Sequence, residues 1–276
     1  MKVSVIVPVG DLDAWRTCEA SLKATFAAYS GPCEFETLPC FDLEHRGAYA
    51  ARNEGLRRAT GDWVAWVDCD DTVEPAWFPE IAAAVEEHAD VDVIQFDATE
   101  VSDRGERPLR YRLRGAVAGE AFAHELLRND GMPAWLWTRV FRRGLFDGAS
   151  FVGRVDEDYQ MFLRILPRIR GVWSIGRSLY RYVRHGHGLS NYVQETDYAE
   201  SGERHAELIR RLPDAWRHDA WVGLALTMAD VALHSRRENG SRGWVRRYGW
   251  RVLSDRSVPL RLKVKCLLAM LGARRR

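Results

Sequence analysis

Trp63-Val64-Ala65-Trp66-Val67-Asp68-Cys69-Asp70-Asp71 joins an uninterrupted apolar run to a cluster of carboxylates. Five consecutive apolar residues predict a strand buried on both faces, the kind found inside a parallel sheet. In open α/β sheets ligands gather outside the carboxyl ends of the strands, which is where Asp68 and Asp70 fall. Two residues apart on extended backbone, their side chains share one direction while Cys69 and Asp71 take the other. Two convergent carboxylates make a hard oxygen site suited to Mg²⁺ or Mn²⁺, completed by waters and a substrate phosphate. The same residues equally suit an acidic turn or a helix cap ahead of Pro75.

The surrounding pattern supports the sheet. Ala48 to Ala59 reads as a helix closed by Thr60-Gly61. The β-branched run Val3-Ser4-Val5-Ile6-Val7-Pro8-Val9 predicts another buried strand. Trp15, Cys18, Leu22 and Phe26 recur at helical spacing until Ser30-Gly31-Pro32 stops the chain. A short strand near Phe35 to Leu38, a helix near Ala76 to His88 and a strand at Val91 to Phe96 complete an alternation that implies a parallel sheet flanked by helices. Residues 99 to 118, rich in Arg and Gly, read as a hairpin or loop insertion. A helix near Glu120 to Asn129, an aromatic stretch Trp135 to Phe141 and a helix from about Asp156 follow. Short strands at Val172 to Ile175 and Leu179 to Val183 lead into Arg184-His185-Gly186-His187-Gly188-Leu189-Ser190. Beyond residue 197 only helical patterns remain, so a catalytic domain over 1–192 and a helical extension over 193–276 are expected.

Composition bounds the class. The 276 residues are 46% hydrophobic and 29% charged with a formal net charge of +1, which argues against disorder or a small disulfide scaffold. A chain of this size buries roughly three quarters of its unfolded surface without a metal or disulfide staple. Stretches free of Asp, Glu, Lys and Arg never exceed ten residues, against about twenty for a membrane-spanning helix. The opening run is too short and too β-branched for a signal peptide. Five cysteines, odd in number and without a C-x-x-C pair, suit a reducing compartment, and a cytoplasmic location is expected. The near-neutral total hides an asymmetry: residues 241–276 hold eleven basic residues against one acid, Asp255, leaving −9 for the first 240.

A second acidic cluster is Asp156-Glu157-Asp158. Successive helical residues lie ~100° apart, so the three cannot face one direction. Asp158 shares its stripe with Met161, Phe162, Ile165 and Ile169, the apolar side, and is the better candidate for a general base. Capping is the competing role, for which Asp156 is equally suited. Arg52-Asn53 falls in the first turns of the helix after Gly47, where helix terminus and guanidinium both favour phosphate, although a surface ion pair is the plainer assignment. His185 and His187 could offer imidazole to a metal or a proton to a phosphate, or merely be exposed. G-x-x-x-x-G-K-[ST], H-E-x-x-H, G-x-S-x-G and a complete G-x-G-x-x-G are all absent, which removes P-loop, zincin, esterase and dinucleotide-dehydrogenase readings.

Together these pieces resemble the family-2 glycosyltransferases with the GT-A fold. Val3 to Val9 looks like their first strand and Gly47-Ala48-Tyr49-Ala50-Ala51-Arg52-Asn53-Glu54-Gly55-Leu56 like their A-R-N-x-G-L helix. Thr60 to Asp71 is similar to their T-G-x-[WY]-[VI]-x-[FW]-[VL]-D-x-D-D, and Glu157-Asp158 to their E-D pair. Leu179-Tyr180-Arg181-Tyr182 with Ser190-Asn191 resembles their Y-x-Y closing segment. The likeness covers about residues 1 to 192. It implies a Rossmann-like, mostly parallel GT-A sheet and an inverting, metal-dependent transfer from a nucleotide sugar, UDP being the default. The acceptor it implies is a glycan or lipid-linked molecule of cell-envelope or exopolysaccharide synthesis. It assigns donor binding to Pro8, Val9, Asp11, Asp42, Arg52, Asn53, Asp68 and Cys69. It further assigns the Mg²⁺ or Mn²⁺ to Asp70 with His185 or His187, and catalysis to Asp158 with Glu157 beside it. Where the family carries V-D-D-G-S this chain has Leu38-Pro39-Cys40-Phe41-Asp42-Leu43, making Asp42 the stand-in for a base-contacting aspartate; Gly10-Asp11 replaces Tyr-Asn. The rivals are a sugar nucleotidyltransferase, whose Gly-rich phosphate loop is missing at Val9-Gly10-Asp11-Leu12-Asp13, and a degenerate, non-catalytic scaffold at a membrane.

In the last helical pattern Leu260, Val264, Leu267, Leu268 and Leu271 share a face flanked by Arg261, Lys263 and Lys265. Such a helix can rest at an anionic membrane surface, here the inner face of the plasma membrane, or pack on the rest of the protein. Nucleic acid is not expected as a partner, since no recognisable motif accompanies the basic residues.

Overall fold

The computed structural model describes residues 1–42, 44, 46–128, 134–184, 197–234 and 240–272. The chain divides into two compact units: residues 1–122, 135–152 and 168–188, and residues 123–134, 153–167 and 189–276. This division crosses the expected boundary at 192, because residues 123–134 and 153–167 group with the C-terminal helices.

The first unit is built on a sheet. Strand β1 (Lys2–Val9) is buried from Val3 onward, as its β-branched composition demands. Helix α1 (Leu12–Ala27) turns Trp15, Cys18, Leu22 and Phe26 inward. Strand β2 (Glu34–Phe41) runs parallel to β1 on one side, and β3 (Trp63–Trp66), reached through helix α2 (Ala48–Arg58), runs parallel on the other. The α2 helix lies so close to β1 that a Cβ on Gly55 would sit 2.2 Å from Ile6 Cγ2. After the two-residue β4 (Thr72–Val73) and helix α3 (Trp77–Glu87), β5 (Val93–Ser102) returns to the sheet. Of the hairpin or loop insertion expected over 99–118, the hairpin forms: the end of β5 pairs antiparallel with β6 (Gly105–Leu109), and β7 (Gly115–Ala118) follows.

Helix α4 (Gly119–Leu127) precedes the aromatic stretch, which forms a 3-10 turn (Leu136–Thr138) and strand β8 (Arg139–Arg142). Strand β8 inserts antiparallel between β3 and β5. The two short strands expected near 172–183 are one 13-residue strand, β9 (Gly171–Val183). Its parallel pairing with β5 shifts register around Asp97, so the polar Gly176-Arg177 break is an irregularity inside a continuous strand. Among the described residues the main path of the sheet is β2-β1-β3-β8-β5-β9-β4, mixed but mostly parallel.

The second unit is helical: α5 (Glu157–Ile165), α6 (Asp197–Arg211), α7 (Asp214–His234), α8 (Ser241–Ser254) and α9 (Leu260–Met270). Arg128 bridges Asp219 at 2.7 Å and Asp255 at 3.3 Å, while His124 and His218 reach the same two carboxylates at 2.6 and 3.1 Å. Asp219 and Asp255 lie with His218 close enough to grip a cation, but Arg128 already supplies a positive charge to both. All five cysteines are free thiols and buried.

Candidate active site

In the first unit β3 delivers Asp68 to Asp71 to the carboxyl edge of the sheet. The Val67 amide still donates to Ile6 O at 3.1 Å, and the chain then folds into a turn closed by the Asp71 amide on Asp68 O at 3.1 Å. The expected extended backbone is thus a turn, because the carboxylates fall one residue past the last sheet pairing. The inside-outside alternation nevertheless holds: Asp68 is half-buried, Cys69 buried, Asp70 exposed and Asp71 buried.

Each side chain has a definite surrounding. Arg52, buried on α2, places Nη2 3.3 Å from Asp68 Oδ1 and its guanidinium over the Phe151 ring. Asn53 clamps the backbone of Phe151, donating to its carbonyl at 2.9 Å and accepting from its amide at 2.8 Å. Asp11 caps α1, its carboxylate accepting from the Asp13 and Ala14 amides at 2.8 and 3.1 Å. Asp42 accepts from the Arg46 and Gly47 amides at 2.9 and 2.6 Å while its own amide donates to Val9 O, tying the end of β1 to the start of α2. The Cys69 sulfur faces the Gly10 and Asp11 amides, although burial dominates and pushes its thiol up. Pro8 and Val9 pair with Cys40 and Phe41 at the same edge. Pro8, Val9, Asp11, Asp42, Arg52, Asp68, Cys69 and Asp70 therefore gather around the carboxyl ends of β1 and β3, whereas Asn53 serves a backbone clamp. His185 and His187 lie outside the described residues.

Two residues without an assigned role in the sequence complete the turn. Tyr180, fully buried on β9, donates to Asp71 Oδ2 at 2.8 Å and accepts from the Asp68 amide at 3.1 Å. Asp71 also accepts from the Val183 amide at 2.6 Å. Burial, and next the charge of Asp68, push the Asp71 carboxyl up to about 8, with Asp70 adding to the rise. The available signal was weak: Asp71 is the inward member of the D-x-D-D run, and Tyr180 opens the Tyr180-Arg181-Tyr182 segment.

The donor set fits a hard divalent cation. Asp68 and Asp70 offer the oxygen ligands that such an ion takes, whereas both Asp71 oxygens are engaged by Tyr180 and the Val183 amide.

In the second unit, Asp156 occupies the position before α5 with φ 54°, the only positive φ at a non-glycine among the described residues. It makes no side-chain cap, contrary to the capping expectation, because the left-handed backbone turns its carboxylate to Ser201, whose Oγ donates at 3.4 Å. Burial pushes this carboxyl up to about 6. Glu157 and Asp158 stand half-buried in the first turn, and Gln160, Met161, Phe162, Leu163 and Ile165 are buried. Ile169 does not extend that stripe, since a 3-10 turn (Leu166–Arg168) ends the helix.

A mostly parallel sheet flanked by helices, with an acidic turn at the exit of an inner strand, is the architecture of a GT-A glycosyltransferase. Residues 40–146 match the sequence model of Glycosyl transferase family 2. It is similar to the uncharacterized glycosyltransferase YibD of Escherichia coli (strain K12), 27% identical over 240 residues that span 76% of this chain and 70% of that one. Among solved structures it resembles S. aureus TarS 1-349 in complex with UDP-GlcNAc, with a TM-score of 0.68 at 19% identity over 99% of this chain and 88% of that one. It also resembles the mannosyltransferase PcManGT from Pyrobaculum calidifontis in complex with GDP-Man and Mn²⁺, with a TM-score of 0.51 at 16% identity over 98% and 86% of the chains. At these identities the two structures establish the fold.

Proposed function

We propose that the protein transfers a sugar, with inversion, from a nucleoside diphosphate sugar to a hydroxyl of a glycan or lipid-linked acceptor in cell-envelope or exopolysaccharide assembly. The observation that carries this is the acidic turn at the β3 exit, with Asp70 exposed, Asp68 paired to buried Arg52 and Asp71 fixed behind them. The UDP-GlcNAc of TarS and the GDP-Man of PcManGT support a nucleotide-sugar donor, and UDP remains the default. Residues 1–192 form the catalytic domain in this reading, and 193–276 the helical extension.

Asp70 would hold the Mg²⁺ or Mn²⁺, with His185 or His187 as the further contact that the family resemblance implies. A cation held there would supply neutralisation of charge on the departing diphosphate. Asp68, oriented by Arg52 and by the Tyr180-bound amide, accepts from a ribose or sugar hydroxyl. Asp42 and Asp11 brace the loops that border the nucleotide. Asp158 takes the acceptor hydroxyl proton as the acceptor oxygen bonds to the anomeric carbon and the bond from that carbon to the diphosphate oxygen breaks. Its support is the E-D resemblance and its place in the first turn of α5 beside the apolar stripe.

A thermal-shift panel of UDP, GDP, CDP and dTDP with Mn²⁺ tests the donor site: one nucleotide should raise the melting temperature, and no shift with any of them favours the scaffold alternative. Asp70→Asn should weaken that metal-dependent binding at least tenfold. Asp158→Asn should abolish turnover with donor affinity nearly unchanged; a variant that keeps most of its activity refutes the base assignment.

A further inference from the structure

Helix α9 packs the wrong way round for a helix of a water-soluble surface. Leu260, Val264, Leu267, Leu268 and Leu271 are 75, 47, 44, 44 and 74% exposed, whereas the residues it buries are Cys266 and Ala269. At ~100° per residue those five apolar side chains fall within an arc of about 100°. The narrow opposite side is firmly seated on α8: a Cβ on Gly249 would meet Cys266 Sγ at 2.9 Å and Met270 Sδ at 3.0 Å. Arg246 on α8 donates to the Met270 carbonyl at 3.3 Å, and Lys265 pairs with Asp230 on α7 at 2.5 Å. The broad leucine face is therefore turned outward by packing on the other side.

The charge around this face is mostly positive, Asp230 being taken up by Lys265. Residues 241–272 contain eight Arg and Lys and a single acid, Asp255, which is already engaged by Arg128, His218 and Ser257. Arg261 and Lys263 lie at the two edges of the apolar arc. On α8, Trp250 is 54% exposed with the Arg251 guanidinium 4.8 Å from its ring centre. An apolar stripe bordered by cations with a neighbouring tryptophan is the pattern of a helix lying at the headgroup level of an anionic bilayer.

We propose that α9, with the basic face of α8 beside it, attaches the protein to a membrane surface rich in anionic lipid. An eleven-residue helix is about 16 Å long against a hydrocarbon core of about 30 Å, so α9 lies along the surface and does not cross it. No helix of the described residues is long and apolar enough to span a bilayer. Charge disfavours a second copy as the occupant, since a symmetric pairing of this face would set Arg261 and Lys263 of one chain against those of the other. It disfavours nucleic acid as well, because phosphates do not use the leucine stripe at the centre of the basic border.

The test is flotation of the full-length protein with vesicles of phosphatidylcholine alone and of phosphatidylcholine with 30% phosphatidylglycerol. The protein should float with the anionic vesicles only. The double variant Leu267→Ser/Leu268→Ser should lose at least tenfold in binding while keeping the wild-type melting temperature, and Arg261→Gln/Lys263→Gln should bind more weakly with a shallower salt dependence. Failure to float with anionic vesicles, equal binding to neutral ones, a dimer dissolved by the leucine variants, or RNA retention unaffected by them would each overturn the proposal. Flotation requires no donor or turnover, so its outcome is separable from that of the transferase reading.

Discussion

At the scale of single residues, one hydroxyl organises the acidic turn. Tyr180 Oη serves the Asp68 amide and the Asp71 carboxyl together, and those partners lie 112 and 109 positions away in the chain. Tyr180→Phe keeps the ring and removes both bonds, leaving Asp71 with the Val183 amide. Leaving a buried group without its partner this way costs about 1–3 kcal/mol. The variant should melt lower and bind the donor nucleotide several-fold more weakly in calorimetry with Mn²⁺; unchanged donor affinity would show that the hydroxyl serves stability alone. The sequence made Asp68 and Asp70 legible, because alternation along a strand exit depends on adjacent positions. It could not show Tyr180 beneath them, since a contact over a hundred residues depends on how β4 and β9 pair. The left-handed Asp156 was illegible for a related reason: nothing local marks a non-glycine residue at φ 54°.

At the scale of elements, two contacts hold the first β-α units together, and each makes a prediction. The α2 helix can approach β1 only because residue 55 has no side chain. Gly55→Ala must displace Ile6 or the helix, with overpacking of about 1–3 kcal/mol and a lower melting temperature. On β2, Glu36 is penalised by burial, yet bonds from Ser4, Lys2 and Thr60 prevail and bring its carboxyl down to about 2. A depressed folded-state pKa means stability that is present above the ordinary glutamate range and lost as pH falls from about 4.5 toward 2. Urea midpoints should drop over that window, and Glu36→Gln should be less stable at neutral pH with a flatter profile. Elements with strong periodicity, such as β1, α1, α2 and β3, were readable from their residues. Strand β8 was not: four residues, Arg139-Val140-Phe141-Arg142, carry too little pattern to announce an antiparallel strand, and its buried Arg139 donates to Gln95 and the Trp135 carbonyl.

At the scale of the molecule, the second unit is assembled from three separated segments, which no linear reading of composition could reveal. Its interior contains His205, whose imidazole burial pushes down to about 3, with Arg204 adding to the fall. The folded state thus refuses a proton that the unfolded chain takes up near pH 6.5. Stability from this group is full above about 6.5 and declines as pH drops toward 3. Helical circular dichroism in urea should show a falling midpoint between pH 7 and 5, and His205→Leu should flatten that decline. The exposed face of α9, by contrast, was visible in the spacing of its leucines, because helix geometry alone determines which residues share a side.

The antiparallel insertion of β8 also governs the order in which the chain can complete itself during synthesis. Strands β1, β2 and β3 can pair once the first 66 residues have left the ribosome, but the free margin of β3 has no partner until residues 139–142 emerge. Strand β5 can close its hairpin with β6 early, but Val93 to Gln95 wait for β8 and β9, both encoded later. A nascent chain halted near residue 130 would therefore display an unpaired strand margin, making that stretch of translation the period of greatest exposure to aggregation and to chaperone capture.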